Sequence, residues 1–86
     1  MSDLRQLKGR LDQISRDAQS AAGNLSGFSS RFSRQIGEVE SSIGGSATGT
    51  DKDMIATLQG AEKQVAQAVA ALQRVAQVAS RYGASL

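Results

Sequence analysis

The side chains that could perform catalysis are few in this sequence. The chain contains no histidine and no cysteine, which excludes imidazole bases, thiolate nucleophiles, disulfides and thiolate metal sites. A serine nucleophile would need a lysine as its base. Lys8, Lys52 and Lys63 fall on or near polar faces, where a desolvated neutral amine is not expected. No glycine-rich phosphate loop ends in Lys-Ser or Lys-Thr. We therefore predict that the protein is not an enzyme and binds no cofactor.

Two carboxylates, Asp51 and Asp53, lie close together at the start of the second half of the chain. A calcium or magnesium site needs more oxygen ligands than this stretch offers. The pair fits the start of a helix, because carboxylates are favoured near the positive end of the helix dipole and Thr50 or Asp51 can cap the first turn. The sequence predicts no metal site here.

Length and composition limit the fold to one small domain of 86 residues, with no proline and only three aromatic side chains. Ten basic and eight acidic residues are scattered along the chain and give a net charge of +2. No apolar run reaches the roughly 18 residues needed to span a bilayer, so no transmembrane segment is expected. The N-terminus is charged where a signal peptide would be apolar. We expect synthesis in the cytoplasm and, if the protein is secreted, export without a cleaved leader.

Apolar residues recur every three or four positions along both halves of the chain, which predicts long helices over residues 2–43 and 51–83. In heptads counted from Leu4, the a row is apolar throughout. The d row begins with Leu7, Ile14, Ala21 and Phe28 and becomes polar at Gln35 and Ser42. Glycines between Ile43 and Asp51 predict a bend over residues 44–50, with Ile43-Gly44-Gly45 as its motif. The fold predicted for residues 1–86 is a single all-α antiparallel helical hairpin.

The apolar stripe on each arm is wider than the two rows that one neighbouring helix can cover. Where the d row becomes polar, the stripe moves one column over, to Ile36 and Ile43. Additional columns beyond the a and d rows, Ala22, Ile36 and Ile43 on the first arm and Ile55, Val69 and Ala76 on the second, widen the stripe. The economical way to bury such a stripe is for two hairpins to pair into a four-helix bundle, as a homodimer or with a different hairpin. The residues predicted to form the packing and dimer interfaces are Leu4, Leu7, Leu11, Ile14, Leu25, Phe28, Phe32, Ile36, Val39, Ile55, Leu58, Val65, Val69, Leu72, Val75 and Tyr82.

The hairpin pattern resembles the WXG family of type VII secretion substrates, the early-secreted-antigen-like proteins. That family carries Trp-x-Gly at its bend, where this chain has Ile43-Gly44-Gly45, and its Ala/Leu-rich second helix is similar to residues 69–82 here. The family's export signal is a tyrosine followed four positions later by an acid. Here Tyr82 is followed at that spacing by Leu86, so the motif is degenerate. The resemblance implies a four-helix-bundle dimer with itself, another small hairpin or the helical domain of an effector, handled by secretion machinery.

A cytoplasmic assembly or adaptor subunit, associated with nucleic acid, is the alternative function. Arg5, Arg10, Arg31 and other basic residues on the first arm would support it. Acidic residues are interleaved with them and no aromatic ring is free for base stacking, so the sequence does not favour a nucleic-acid partner. Gly9, Gly23 and Gly37 form one outward column on the same arm. Either a closely packed second backbone or a solvated face of small residues would account for it, and the solvated face is favoured.

Overall fold

The protein is an antiparallel hairpin of two long helices. The computed structural model describes residues 2–43 and 49–86. Helix α1 spans Ser2–Ile43 and helix α2 spans Gly49–Ser85. The bounds of α1 match the predicted range, whereas α2 begins two residues before and ends two residues after the predicted 51–83. Because α2 begins at Gly49, Asp51 lies inside its first turn and does not precede it. Gly44 and Gly45 of the bend motif lie outside the described residues.

The hairpin is a thin rod. Its principal extents are 67 × 17 × 14 Å, and its radius of gyration is 19.3 Å. A compact domain of this length would have a radius of gyration of about 12 Å. The long dimension follows from the helix itself, since 42 residues at about 1.5 Å each span roughly 63 Å. Each helix therefore has one neighbour along its whole length.

The two helices meet along a narrow line of residues that alternate by four and three positions, which we call the seam. Small residues dominate it near the chain termini, where Ala18, Ala22, Ala76 and Ala79 are buried, and Ile36 is the large side chain buried closer to the bend. The α1 seam residues are Leu11, Ser15, Ala18, Ala22, Leu25, Ser29, Phe32, Ile36, Val39 and Ile43. The α2 seam residues are Asp51, Ile55, Leu58, Glu62, Val65, Val69, Leu72, Ala76, Ala79, Gly83 and Leu86.

Two rows of α1 face α2. One is the a row from Leu11 onward, and the other is the row at Ser15, Ala22 and Ile36, to which the sequence analysis assigns additional apolar columns. The d row is left outside, with Ile14 48% exposed and Phe28 42% exposed. The physical reason lies in side-chain size: Ser15 lets the backbones approach closely opposite Ala76, and Gly83 packs against Leu11, whereas the larger Ile14 and Phe28 would hold the helices apart.

Candidate interaction surface

One side of the hairpin carries a strip of exposed apolar side chains from both helices, which we call the open face. On α1 the strip follows the d row. On α2 it follows the residues that recur every seven positions from Met54 to Tyr82, together with Val78. The exposed fractions are large for apolar residues: Tyr82 is 52% exposed and Val78 is 55% exposed. The open face comprises Leu7, Ile14, Ala21 and Phe28 of α1 and Met54, Ala61, Ala68, Val75, Val78 and Tyr82 of α2.

Helix geometry places the open-face row of α1, which contains Ile14, and the open-face row of α2, which contains Val75, on the same side of the hairpin. Each of these rows lies three residues after a seam row of its own helix, which contains Leu11 in α1 and Leu72 in α2. A step of three residues turns each open-face row about 60° away from that seam row, in the same sense on both helices. In an antiparallel pair of right-handed helices, rows turned in the same sense from the seam fall on one side of the hairpin. A surface groove lined by Gln35 and Ser42 of α1 together with Met54 of α2 agrees with this placement.

The open face contains a strongly apolar groove near the chain termini, which we call the terminal groove. It is lined by Leu11 of α1 and by residues from four successive turns of α2. Arg74 stands on its edge, and a second hollow next to it shares Val78 and Tyr82 and adds Arg81. Neither lining includes a carboxylate. The terminal groove is therefore an apolar trough with a basic border. Its lining is Leu11, Ala71, Arg74, Val75, Val78, Ala79 and Tyr82.

A second groove crosses the same face close to the bend, which we call the bend groove. Val39, Ile43 and Met54 provide its apolar floor, and Glu38 and Asp51 line it with carboxylates. No basic residue lines it. The terminal groove thus has a basic border and the bend groove has an acidic one.

The opposite side of the hairpin is polar and is tied together by side chains. Ser33 of α1 donates its hydroxyl to a carboxylate oxygen of Glu62, and the Gln59 amide donates to a carboxylate oxygen of Glu40 at 3.0 Å. These hydrogen bonds cross between the helices on the side away from the open face. The hairpin therefore has a polar side with hydrogen bonds between its helices and an apolar side that residues 2–43 and 49–86 do not cover.

The predicted interface residues divide between the seam and the exposed surface. The structure places most of them in the seam, where they hold α1 and α2 together. Leu4, Leu7, Ile14, Phe28, Val75 and Tyr82 are exposed instead. The seam members of the predicted set are Leu11, Leu25, Phe32, Ile36, Val39, Ile55, Leu58, Val65, Val69 and Leu72. The exposed members are the ones available to a second molecule.

Phe32 of the seam and Phe28 of the open face are in contact with each other. Their rings stack with centroids 5.4 Å apart and planes inclined by 17°, so the half-buried Phe32 supports the exposed Phe28. Stacked pairs of this kind contribute about 0.5–1.5 kcal/mol beyond the burial of their area. Phe28 is thereby held at a fixed position near the middle of α1, on the open face.

Five open-face residues were absent from the predicted list of interface residues: Ala21, Met54, Ala61, Ala68 and Val78. For three of them the signal was present in the sequence, because Met54, Ala61 and Ala68 recur every seven residues with Val75 and Tyr82 in α2. Alanines at the middle of this row made it inconspicuous beside the stronger seam rows. The sequence analysis also missed the basic border of the terminal groove and the acidic border of the bend groove. The charged residues look scattered along the sequence, and they are grouped at these borders only when the two helices pack against each other.

The degenerate export motif lies at the end of α2. Tyr82 is on the open face, and Leu86 follows the helix with its main-chain N–H donating to the carbonyl oxygen of Gly83 at 3.3 Å. The Ser85 hydroxyl donates to the carbonyl oxygen of Tyr82 at 2.8 Å. The helix thus continues past the tyrosine, and its last turn carries no acidic residue at the four-residue spacing.

The glycine column of α1 makes no contact with α2. A methyl group added at Gly9, Gly23 or Gly37 would meet no heavy atom within 4 Å. Gly83 differs, because a methyl group there would lie 3.6 Å from Cβ of Leu11, an ordinary packing distance. Within the hairpin, the column therefore faces open space.

The described residues offer no site for a metal ion and no membrane-spanning segment. Over 2–43 and 49–86, no group of three or more His, Cys, Asp or Glu side chains could hold a metal ion. In the same part of the chain, neither helix has a window apolar enough to cross a bilayer. Comparison of the chain with protein-family models, with curated proteins and with solved structures gave no significant match.

Proposed function

We propose that the protein is a non-enzymatic binding module whose open face packs against another helical hairpin to complete a four-helix bundle. The observation that carries the proposal is the apolar strip that α2 and the part of α1 up to Phe28 share on one side of the rod. Its residues occur at helical spacing on both arms, which is the pattern that receives the apolar side of further helices.

The exposed surface supports a binding role. The chain has an accessible surface of 6273 Å², whereas a compact monomer of 9.0 kDa would have about 4,900 Å². The surplus of about 1,400 Å² exceeds the roughly 800 Å² that each partner contributes to a standard protein interface. A second hairpin laid along the open face would remove a comparable area from water.

The energy of burial is large relative to the stability of so small a domain. Fully burying one Val, Leu, Ile, Phe or Met side chain contributes about 1.5–3 kcal/mol. Ile14, Phe28, Met54 and Val78 are each 42–55% exposed, so covering them recovers roughly half of that amount per residue. Four such side chains contribute several kcal/mol, comparable with the whole stability expected of many small domains. Pairing therefore stabilises the fold as well as forming the complex.

In the cell, we propose that this pairing serves type VII secretion, with the protein acting as a secreted hairpin or as a targeting partner. The support is the similarity of the hairpin, its length and its Ala/Leu-rich second helix to the WXG family. We propose that the partner carries the acidic part of the export signal, because Tyr82 is followed at the motif's spacing by Leu86 and not by an acid. The partner is then a small hairpin protein or the helical domain of an effector.

The experiment compares two substitutions two residues apart, on opposite sides of α2, in an affinity-tagged chain expressed in its native host. Val78→Asp places a charge on the open face, whereas Ser80→Asp places the same charge on an exposed position of the polar side. We expect Ser80→Asp to retain the hairpin partner during purification and to reach the culture medium. We expect Val78→Asp to lose both the partner and export to the medium. Deletion of the membrane ATPase of the secretion system should prevent the export of every variant.

The outcomes separate binding from secretion. Equal partner recovery with Val78→Asp and Ser80→Asp would refute the open face as the binding surface. Loss of the partner with Val78→Asp, together with retention of all variants inside wild-type cells, would keep the binding module and refute the secretion role.

A further inference from the structure

We propose that the terminal groove binds a free long-chain fatty acid, with the acyl chain lying along α2 and the carboxylate meeting the guanidinium group of Arg81. Three features of the groove support this ligand: its dimensions, its apolar lining and the sign of the charges on its edge. The groove belongs to the single hairpin, so a ligand there is independent of the pairing proposed above.

The terminal groove has the size of a ligand site. Its volume is about 550 Å³, within the range of about 300–1,000 Å³ that is usual for small-molecule sites. Its lining runs along α2 from Ala71 to Tyr82, a distance of about 16 Å along the helix. One acyl chain spans half of the roughly 30 Å hydrocarbon core of a bilayer, or about 15 Å. An extended acyl chain of ordinary length therefore fits the groove from end to end.

The lining of the groove suits a flexible hydrocarbon chain. Small side chains at Ala71 and Ala79 alternate along it with the larger ones of Val75 and Tyr82, which leaves hollows for methylene groups. Val75, Val78 and Tyr82 are each 45–55% exposed. A bound chain therefore removes both its own methylene groups and these side chains from water, which is favourable.

The edge of the groove suits an anion. Arg74 stands on this edge, and Arg81 lines the adjoining hollow together with Val78, Tyr82 and Ser85. Neither lining includes an acidic side chain that would repel a carboxylate. An arginine can hold a carboxylate through two parallel hydrogen bonds while its apolar stem lies along an acyl chain. This chemistry favours an anionic amphiphile over a cationic one.

The length of the groove places the carboxylate at Arg81. From this residue, an acyl chain can run about 15 Å along α2, over Val78 and as far as Ala71. A chain with its carboxylate on Arg74 would have only about 12 Å of groove before Tyr82. We therefore assign the head group to Arg81, with Arg74 beside the chain.

The ligand and a partner hairpin would use the same surface. A fatty acid in the terminal groove covers Val75, Val78 and Tyr82, which the proposed function assigns to the partner. The two therefore compete, and free fatty acid should release the partner hairpin. This consequence rests on the proposed function, whereas the binding of the fatty acid does not.

The test measures binding of dodecanoate to the purified chain by isothermal titration calorimetry, below the concentration at which dodecanoate forms micelles. Dodecyltrimethylammonium, which has a chain of the same length and a cationic head group, serves as the comparison ligand. We expect dodecanoate to bind more tightly, and Arg81→Gln to weaken its binding several-fold. Arg16→Gln removes the same charge from an exposed position outside the groove and should leave the affinity unchanged.

A second pair of variants tests the position of the acyl chain. Ala71→Leu fills the far end of the groove and should preserve the helix, because alanine and leucine are both strong helix formers. We expect it to weaken dodecanoate binding several-fold and to leave octanoate binding unchanged, because the shorter chain does not reach Ala71. Ala70→Leu, at the exposed neighbour on the polar side, should change neither affinity.

Each contrary outcome overturns the proposed site. Absence of dodecanoate binding, or equal affinity for the cationic amphiphile, would refute it. Equal effects of Arg81→Gln and Arg16→Gln would refute the carboxylate position, and equal effects of Ala71→Leu and Ala70→Leu would refute the position of the chain.

Two further outcomes separate this ligand from a membrane surface and from the partner hairpin. Binding to vesicles of phosphatidylcholine and phosphatidylglycerol, without binding of monomeric dodecanoate, would assign the groove to a membrane surface and overturn the fatty-acid site. A chain that binds dodecanoate as expected, but whose partner recovery is equal for Val78→Asp and Ser80→Asp, would keep the fatty-acid site and refute the proposed function.

Discussion

The Ser15 hydroxyl of α1 donates a buried hydrogen bond to the main-chain carbonyl oxygen of Ala76 in α2, at 3.0 Å. Side chain and backbone can meet this closely because the seam is narrow here, with Ala18 and Ala79 beside them. The bond joins positions 61 residues apart, so it fixes how far one helix is shifted along the other. The shift in turn sets Val78 level with Ile14 on the open face.

Removing this hydroxyl should cost a measurable part of the stability. Ser15→Ala loses one buried hydrogen bond, with a typical net value of about 0.5–1.5 kcal/mol, and gains about 0.5 kcal/mol of helix propensity. Ser20→Ala, at an exposed position of the same helix, has the gain without the loss and serves as the control. Urea unfolding followed by circular dichroism should therefore show Ser15→Ala less stable than Ser20→Ala by about 1 kcal/mol. Equal midpoints would show that the bond does not stabilise the hairpin.

Truncating the large buried side chain near the bend should have a stronger effect. Ile36 is 5% exposed, and replacing such a side chain with alanine typically costs 2–5 kcal/mol. The seam is thin and can partly close, so we expect about 2–3 kcal/mol for Ile36→Ala. Thermal unfolding should show the loss as a fall in Tm. Gln35→Ala, its exposed neighbour, should change Tm little, and a similar fall for both would mean that Ile36 is not a core residue.

Filling the glycine column should stabilise the helix. Gly23→Ala adds a methyl group that meets nothing within 4 Å, so only the propensity gain of about 0.8–1 kcal/mol remains. For a domain of this size, the corresponding rise in Tm is about 4–8 °C. If a second backbone packs closely on the column in a larger assembly, the same substitution should impair that assembly while still raising Tm. An unchanged assembly would assign the glycines to a solvated surface.

Duplex DNA should bind weakly, if at all. The basic residues of α1 alternate with Asp3, Asp12 and Asp17, and a surface of mixed sign neutralises few phosphates. We expect filter binding to show no steep dependence of affinity on salt concentration. A logarithmic slope near that of a protein contacting six or more phosphates would favour the nucleic-acid-associated alternative instead.

Periodicity predicted the two helices well because each arm repeats the same three-and-four spacing for about ten turns. Ser2–Ile43 was obtained in full from this signal. The ends of α2 were less accurate, since Gly49 and Gly83 look like helix boundaries by propensity although the helix includes both. At Gly83 the close packing of Leu11 outweighs the conformational cost of glycine.

The choice of seam could not be obtained from hydrophobicity alone. Leu7, Ile14 and Phe28 are more apolar than Ser15 and Ala22, so pattern analysis favours them as the contact row. Helix packing instead rewards close backbone approach, which small residues allow. The width of the stripe was nevertheless correctly predicted to exceed what one neighbouring helix covers, because the number of apolar columns does not depend on which column faces inward.

The most direct test of the account is the mass of the purified chain in solution, measured by sedimentation equilibrium over a range of concentrations beside circular dichroism. The account predicts a mass above the 9.0 kDa of one chain, through pairing with a second copy or with a hairpin co-expressed from the native host, and a shift toward 9.0 kDa with lower stability for Val78→Asp. A natural chain that stays at 9.0 kDa both alone at the highest concentration and beside the co-expressed hairpins, fully helical and unfolding cooperatively, would contradict it.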